Sequence, residues 1–230
     1  ALQTAGPDEI NAIDAEGQSL LFVGARRGLT TFCQKLLEHH FLNEPATRTS
    51  SGESAIHIAA KHGWVSTVSA LVKHPRMQKL ARSKNGRTPL HCAAEEGHSL
   101  VVKALLDCTH FEDMNAQDNL GHTALHLAAS QGHVAVCSIL LASPRFKAVN
   151  AKDWKGWTAL HCAAEQGQDE ACSALLGSGR CQVLAVQQAC LRALQLASSR
   201  GHESTCQLLQ LHPAFSPFAE GMKTRQATTC

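Results

Sequence analysis

At 230 residues, 44% hydrophobic and 17% charged, the chain is apolar enough to fold and too mixed to be a disordered tail. A formal charge of +2 gives no lean toward nucleic acid or an anionic membrane. No apolar run approaches the ~18–20 residues of a membrane span, and the start ALQTAGPDEI shows no charged-then-apolar leader, so neither membrane insertion nor a signal peptide is expected.

Residues 1–9 read as an N-terminal lead-in, and from there one pattern recurs. It begins as DAEGQSLLFVGARRG at 14–28 and sharpens to TSSGESAIHIAAKHG at 49–63 and SKNGRTPLHCAAEEG at 83–97. It returns as DNLGHTALHLAASQG at 118–132 and DWKGWTALHCAAEQG at 153–167, then degrades to QACLRALQLASSRG at 188–201. The closing glycines Gly28, Gly63, Gly97, Gly132, Gly167 and Gly201 are 35, 34, 35, 35 and 34 residues apart. Six copies at a steady period define a repeat architecture. The repeats are taken as approximately 10–43, 44–78, 79–112, 113–147, 148–181 and 182–211. The tail 212–230 is left as a cap, the start of another domain or a disordered end.

Each copy has its own physical logic. Thr88-Pro89 starts a helix with a hydroxyl cap and a proline at the first helical position, where its missing N–H costs nothing. Ser19, Ser54, Thr123 and Thr158 offer the same hydroxyl. The Ala-Ala pair gives a small-residue face, and the closing glycine ends the helix. A second helix follows, LVVKALL from Leu100 to Leu106, with counterparts VAVCSILL at 134–141 and EACSALL at 170–176. Linkers such as MNAQDNLGH (114–122) and VNAKDWKGW (149–157) are expected to run extended and turn at glycine. None of these helices reaches the ~12–15 residues needed for marginal stability alone, so neighbours must stack.

A G-x-T-P-L-H-x-A-A-x-x-G signature, a V-x-x-L-L second helix and this period resemble the ankyrin repeat over roughly residues 10–211. The resemblance implies an all-α solenoid of stacked helix-turn-helix units with projecting β-hairpin-like loops. Copies two to five carry the motif. Copy one has Phe22 for the histidine and Gly24 for the first alanine; copy six has Cys190 for the turn glycine and Gln195 for the histidine.

Ten cysteines raise the question of disulfides or zinc. Cys33, Cys137, Cys172 and Cys206 share one slot with Val68 and Val102, and Cys92 and Cys162 share another with Ile58, Leu127 and Leu196. These six behave as small hydrophobes, which fits a reducing compartment, cytosol or nucleus. Cys108, Cys181, Cys190 and Cys230 fall outside both slots. His57, His91, His126 and His161 are registered too; the resemblance implies that they hydrogen-bond adjacent turns instead of binding metal. Neighbours such as His91-Cys92 point ~100° apart on a helix and form no dyad. No phosphate loop, paired acids or nucleophile elbow is visible, so neither catalysis nor a cofactor is expected.

The resemblance nominates the positions flanking each turn glycine, and the two before each closing glycine, as a concave binding surface. In copy three these include Lys84, Arg87, Glu95 and Glu96; in copy four Asn119, Leu120 and His122; in copy five Trp154, Lys155, Trp157, Glu165 and Gln166. Affinity is expected to centre on Trp154, Trp157 and Leu120, with Arg87 and Lys84 steering charge. The competing expectation is that one ring, Trp157, only braces the tips. Trp64 is expected to pack at the start of a second helix. The run KHPRMQKLARSKNGR (73–87) carries six Lys/Arg and no acid, suiting an acidic or phosphorylated partner segment, or a solvated loop moderated by Glu95 and Glu96. It lacks an interleaved aromatic for base stacking, which disfavours nucleic acid.

The functional expectation is a non-catalytic scaffold or adaptor that binds a partner protein or peptide. The alternatives are a substrate-recruiting segment of a larger enzyme, compatible with a chain that does not begin with Met, and a scaffold for an anionic polymer.

Overall fold

The structure, a computed structural model, describes residues 6–42, 49–75, 77, 82–180 and 183–212, with the backbone alone over 183–190. The sequence readings for the tail beyond 212, for Cys181 and Cys230, for the Cys190 side chain, and for part of the 73–87 basic run lie outside what is described. The chain divides into two compact units, Ala1–Leu120 and Gly121–Cys230.

The first unit opens with a single turn, α1 (Pro7–Ile10), and continues with three helix pairs. These are α2 (Leu20–Arg26) with α3 (Thr30–Leu37), α4 (Ala55–Lys61) with α5 (Val65–Lys73), and α6 (Pro89–Glu95) with α7 (Ser99–Asp107). Each first helix starts where the sequence puts a hydroxyl: Ser19, Ser54 and Thr88 are N-caps in extended conformation. The short first helices pack in order, α2 on α4 and α4 on α6, while α3, α5 and α7 form a second row. Ala59, Ala60, Ala93 and Ala94 are buried between the first helices; a larger side chain there would hold the helices apart. Leu36, Leu71 and Leu105 fill the space between the rows, each worth roughly 1.5–3 kcal/mol of burial.

The second unit repeats the plan with α8 (Ala124–Ser130) and α9 (Val134–Ala142), then α10 (Ala159–Glu165) and α11 (Asp169–Gly177), then α12 (Val183–Arg200) and α13 (Glu203–Leu211). Helix α10 lies between α8 and α12, and α11 between α9 and α13. Arg180 terminates α9 and its following turn, donating to the carbonyls of Leu141 (2.7 Å), Ser143 (2.9 Å) and Phe146 (2.6 Å). It satisfies oxygens that a helix end leaves orphaned.

One reading is corrected. The linkers are not simply extended: 3₁₀ turns at Asp113–Asn115 and Ala148–Asn150 precede the tips. The tips are tight hairpin-like turns, closed by backbone bonds such as Ser83 N–H to Arg87 O and Asp153 N–H to Trp157 O, both 2.8 Å; among the described residues one full antiparallel bridge forms, Ile13 with Ser19. The last copy has no tip of the usual kind, because α12 runs as one helix through the region where the other copies turn. Cys190 occupies the glycine position there, and Arg192 the hydroxyl-cap position. With neither signal to stop it, the helix extends upstream.

The core also holds residues outside the motif. Leu42, Met77, Phe111 and Phe146 are all buried. They stand 35, 34 and 35 residues apart, in the connection after each second helix, so the extra residues of the long period carry a hydrophobic plug.

Candidate functional site

The motif histidines brace the framework. The cap N–H of Thr88, Thr123 and Thr158 donates to Nδ1 of His91, His126 and His161 at 3.1, 3.1 and 3.0 Å. Because Nδ1 accepts, the proton resides on Nε2. That proton reaches the next tip: His57 Nε2 donates to the Arg87 carbonyl (3.0 Å), and His126 Nε2 to the Trp157 carbonyl (3.1 Å). Among the described residues His161 has no such acceptor, since α12 replaces the sixth tip, and its buried Nε2 is unpartnered. Desolvation, reinforced by Arg192, lowers the His161 pKa from 6.5 to about 4. All four rings are buried structural groups.

The thiols tell the same story. Cys33, Cys92, Cys108, Cys137, Cys162 and Cys172 are free and buried, and Cys206 is half-buried in the last pair. Burial pushes Cys33 up to about 11 and Cys92, Cys137 and Cys162 to about 12. A thiol held neutral is a poor nucleophile and a poor metal ligand. Among the described residues no group of three or more His, Cys, Asp or Glu is placed to hold a metal ion.

Within each unit a second ladder links a pair to the one before. There the residue after a closing glycine caps the second helix and lays its side chain on the previous closing glycine. An ideal Cβ on Gly28 would meet Trp64 Cδ2 at 2.7 Å, one on Gly63 would meet His98 Nδ1 at 2.8 Å, and one on Gly167 would meet His202 Nδ1 at 2.6 Å. These side chains hydrogen-bond backward: Trp64 Nε1 to the Arg26 carbonyl (3.0 Å), His98 Nε2 to Lys61 (2.9 Å), His202 Nε2 to Glu165 (3.0 Å). The closing glycine thus serves a positive φ and a close approach together. Trp64 packs as expected on one face yet stays 44% exposed.

The tips are built by an acceptor three residues before each turn glycine, a feature the sequence reading passed over. Asp14, Thr49, Ser83, Asp118 and Asp153 hold this slot. Asp153 Oδ1 accepts the N–H of Lys155 and of Trp157, both at 2.8 Å, and His122 Nε2 stands 3.6 Å from Oδ2. Successive tips also touch. In the first unit Lys84 N–H donates to Ser51 O (3.1 Å), Asn119 N–H to Asn85 O (2.9 Å) and Asn119 Nδ2 to Lys84 O (2.9 Å).

On this frame the nominated residues separate by unit. In the first, Lys84, Glu96 and Asn119 are exposed, and Leu120 is 55% exposed. Arg87, expected to steer charge, is half-buried. It is bonded to Glu95 at 2.6 Å and lies 3.8 Å from Asp118. Burial disfavours its charge, but the hydrogen bond and charge of Glu95 outweigh that and raise its pKa. Arg82 is likewise bonded to Asp113 at 2.8 Å. The basic run is therefore partly neutralised by its own neighbours.

In the second unit Trp154 is 78% exposed at the tip, a large area for an indole to leave in water. Trp157 is half-buried, with Lys155 Nζ 4.4 Å from its ring centroid. That cation–π contact covers Trp157. Glu165 is half-buried and bonded to Arg200 (2.8 Å), while Gln166 is exposed. The two tryptophans thus divide the roles: Trp157 braces the tip and Trp154 projects from it.

Paired short helices, recurring cap and ladder hydrogen bonds and variable tips define a repeat protein whose framework and presented surface are chemically separate. The model described as ankyrin repeats (3 copies) matches residues 21–118 and again residues 108–187. The chain belongs to the ankyrin-repeat family. Its repeats are in general protein–protein interaction modules, on a fold that is in general non-catalytic. No curated protein matches the chain significantly. Among the described residues no helix is long and apolar enough to cross a membrane.

Proposed function

We propose that this chain is a scaffold or adaptor that seats a partner protein or peptide against its tips and first helices, with Trp154 as principal anchor. One observation carries the reading. The Trp154 indole, the most exposed tryptophan, projects from a tip whose backbone is pinned by Asp153. A rigid tip loses little conformational freedom on binding, and tryptophan is the residue most enriched among binding hot spots.

Lys155, Trp157, His122, Glu165 and Gln166 form the surround of that anchor in the second unit. Lys84, Arg87, Glu95, Glu96, Asn119 and Leu120 are the corresponding candidates in the first. The six-repeat partition of residues 10–211 is retained as part of this proposal. Free buried thiols suit the cytosol or nucleus.

The test is affinity capture with the wild type beside Trp154→Ala and Leu100→Ala. Leu100 is 69% exposed on α7 and is not a tip residue. A partner lost with Trp154→Ala and retained with Leu100→Ala supports the site. A partner indifferent to Trp154 removes it.

A further inference from the structure

We infer that His122 is a positioning residue for the Trp154 tip: in its protonated form it pairs with the buried Asp153 carboxylate and fixes the turn from which the indole projects. The inference rests on the tip reading above and adds a control to that site. Asp153 is built into the turn through one oxygen. Its Oδ1 accepts the N–H groups of Lys155 and Trp157, the residues on either side of Gly156, whereas Oδ2 faces His122 Nε2 at 3.6 Å. That separation is too long for a hydrogen bond and within reach of an ion pair. The Asp153 side chain is 2% exposed, and a buried charge is costly unless a counter-charge stands near it.

The first unit shows the same slot with a permanent counter-charge. Arg87 follows Gly86 as His122 follows Gly121, and its Nε lies 3.8 Å from Oδ2 of Asp118, which is also buried. The other tips keep the correspondence in sequence. Where the next tip's acceptor is a neutral hydroxyl, Thr49 or Ser83, the residue after the preceding turn glycine is Gln18 or Glu53; where it is an aspartate, that residue is Arg87 or His122. A side chain able to carry positive charge therefore stands in this slot ahead of an aspartate, and at Asp153 the charge exists only while the imidazole is protonated.

The neighbouring charged groups have other engagements. The His126 ring on α8 is centred 6.0 Å from that of His122, with Nδ1 accepting the Thr123 N–H and Nε2 donating to the Trp157 carbonyl. His161 on α10 accepts the Thr158 N–H and is kept neutral by burial, its pKa lowered to about 4. Lys155 lays its ammonium over Trp157. Asp118, four residues before His122, is engaged by Arg87 and by the Leu120 N–H at 2.9 Å. Lys152 and Arg192 are the other cations felt at His161; among the described residues His122 alone stands at ion-pair distance from Asp153. An imidazolium beside a carboxylate is favoured over the same group in the unfolded chain. Its contribution to tip order is therefore present below the ordinary histidine range near about pH 6.5 and is lost as pH rises through the folded His122 midpoint, opposite in sense to His161.

The test is an NMR titration of the isotope-labelled full chain from about pH 8 to about pH 5.5, a window that spans the histidine range. It follows the His122 ring together with the shifts and solvent exchange of the Lys155 and Trp157 amides, in the wild type, His122→Gln and His122→Arg. Circular dichroism confirms that each variant is folded. In the wild type both amides are expected to shift with the midpoint of the His122 ring and to gain protection toward the acid end. In His122→Gln the transition is lost from both amides. In His122→Arg it is lost as well, and both amides stay protected across the whole range. Amides that remain still while His122 titrates, that follow another histidine, or that keep their transition in either variant overturn the inference. No partner enters these readouts, so the His122 contact fails or stands apart from the Trp154→Ala capture that tests the anchor.

Discussion

Gly121 and Gly156 are both turn glycines with positive φ, +80° and +74°. They differ in what lies beside them. A Cβ on Gly121 would stand 2.8 Å from Asp153 Cα and 3.0 Å from Trp154 N, whereas one on Gly156 would meet none of the described residues within 4 Å. The open side of Gly156 follows from α12 taking the place of a sixth tip. Alanine at either position bears the left-handed penalty of roughly 1–2 kcal/mol. At Gly121 it must also push back a neighbouring backbone held by the Asp153–Trp157 turn, an overpacking cost of roughly 1–3 kcal/mol. Gly121→Ala is therefore expected to destabilise by roughly 2–5 kcal/mol and Gly156→Ala by roughly 1–2 kcal/mol. In a chain of this length each kcal/mol moves Tm by about 2–4 °C, so Gly121→Ala melts roughly 5 °C below Gly156→Ala. Urea titration and thermal melting followed by circular dichroism at the helix band read both numbers. Equal losses, or a larger loss at Gly156, refute the tip-on-tip packing.

Cys137→Ser is expected to cost ~1–3 kcal/mol by placing a hydroxyl where a fully buried thiol packs, while Cys206→Ser, half-buried, costs less; urea midpoints compare them. His161 predicts a pH dependence. Its folded pKa of about 4 lies below the ordinary 6.5, so the unfolded chain binds the proton first. The associated stability is fully present above about pH 6.5 and is lost as pH falls toward about 4, by at most about 3 kcal/mol. Melting from pH 7.5 to pH 4 should show a fall that His161→Gln flattens; an unchanged slope in that variant assigns the acid sensitivity elsewhere.

The legible part of the fold was the part with local chemistry. A hydroxyl before an apolar run, a proline after it and a glycine closing it announce a helix from sequence alone, and Thr88, Pro89 and Gly97 sit at those points of α6 and its following turn. The steady period placed the inner histidines and most slot cysteines, because a position that packs in one copy packs in the next. The plugs Leu42, Met77, Phe111 and Phe146 were hidden by variable identity, though their spacing carried the same register. The sixth copy shows the converse. Losing glycine at Cys190 and the cap at Arg192 removed the tip and lengthened α12, a consequence written in the sequence as two missing signals.

At the tip, composition singled out the two tryptophans but could not divide their roles. That division depends on where Lys155 lies, over the Trp157 ring, and on Asp153 fixing the turn with its carboxylate. Arg87 was misleading for a related reason. Its charge is visible in the sequence, but the carboxylates of Glu95 and Asp118 that engage it are brought close by folding.

Hydroxyl-radical footprinting of Trp154 in the free chain and in a complex with the captured partner tests the central claim most directly. Trp64, held on Gly28 at the start of α5, serves as the internal reference. The anchor role predicts rapid Trp154 oxidation in the free chain and strong protection in the complex, with Trp64 unchanged. Equal Trp154 oxidation in both states contradicts it.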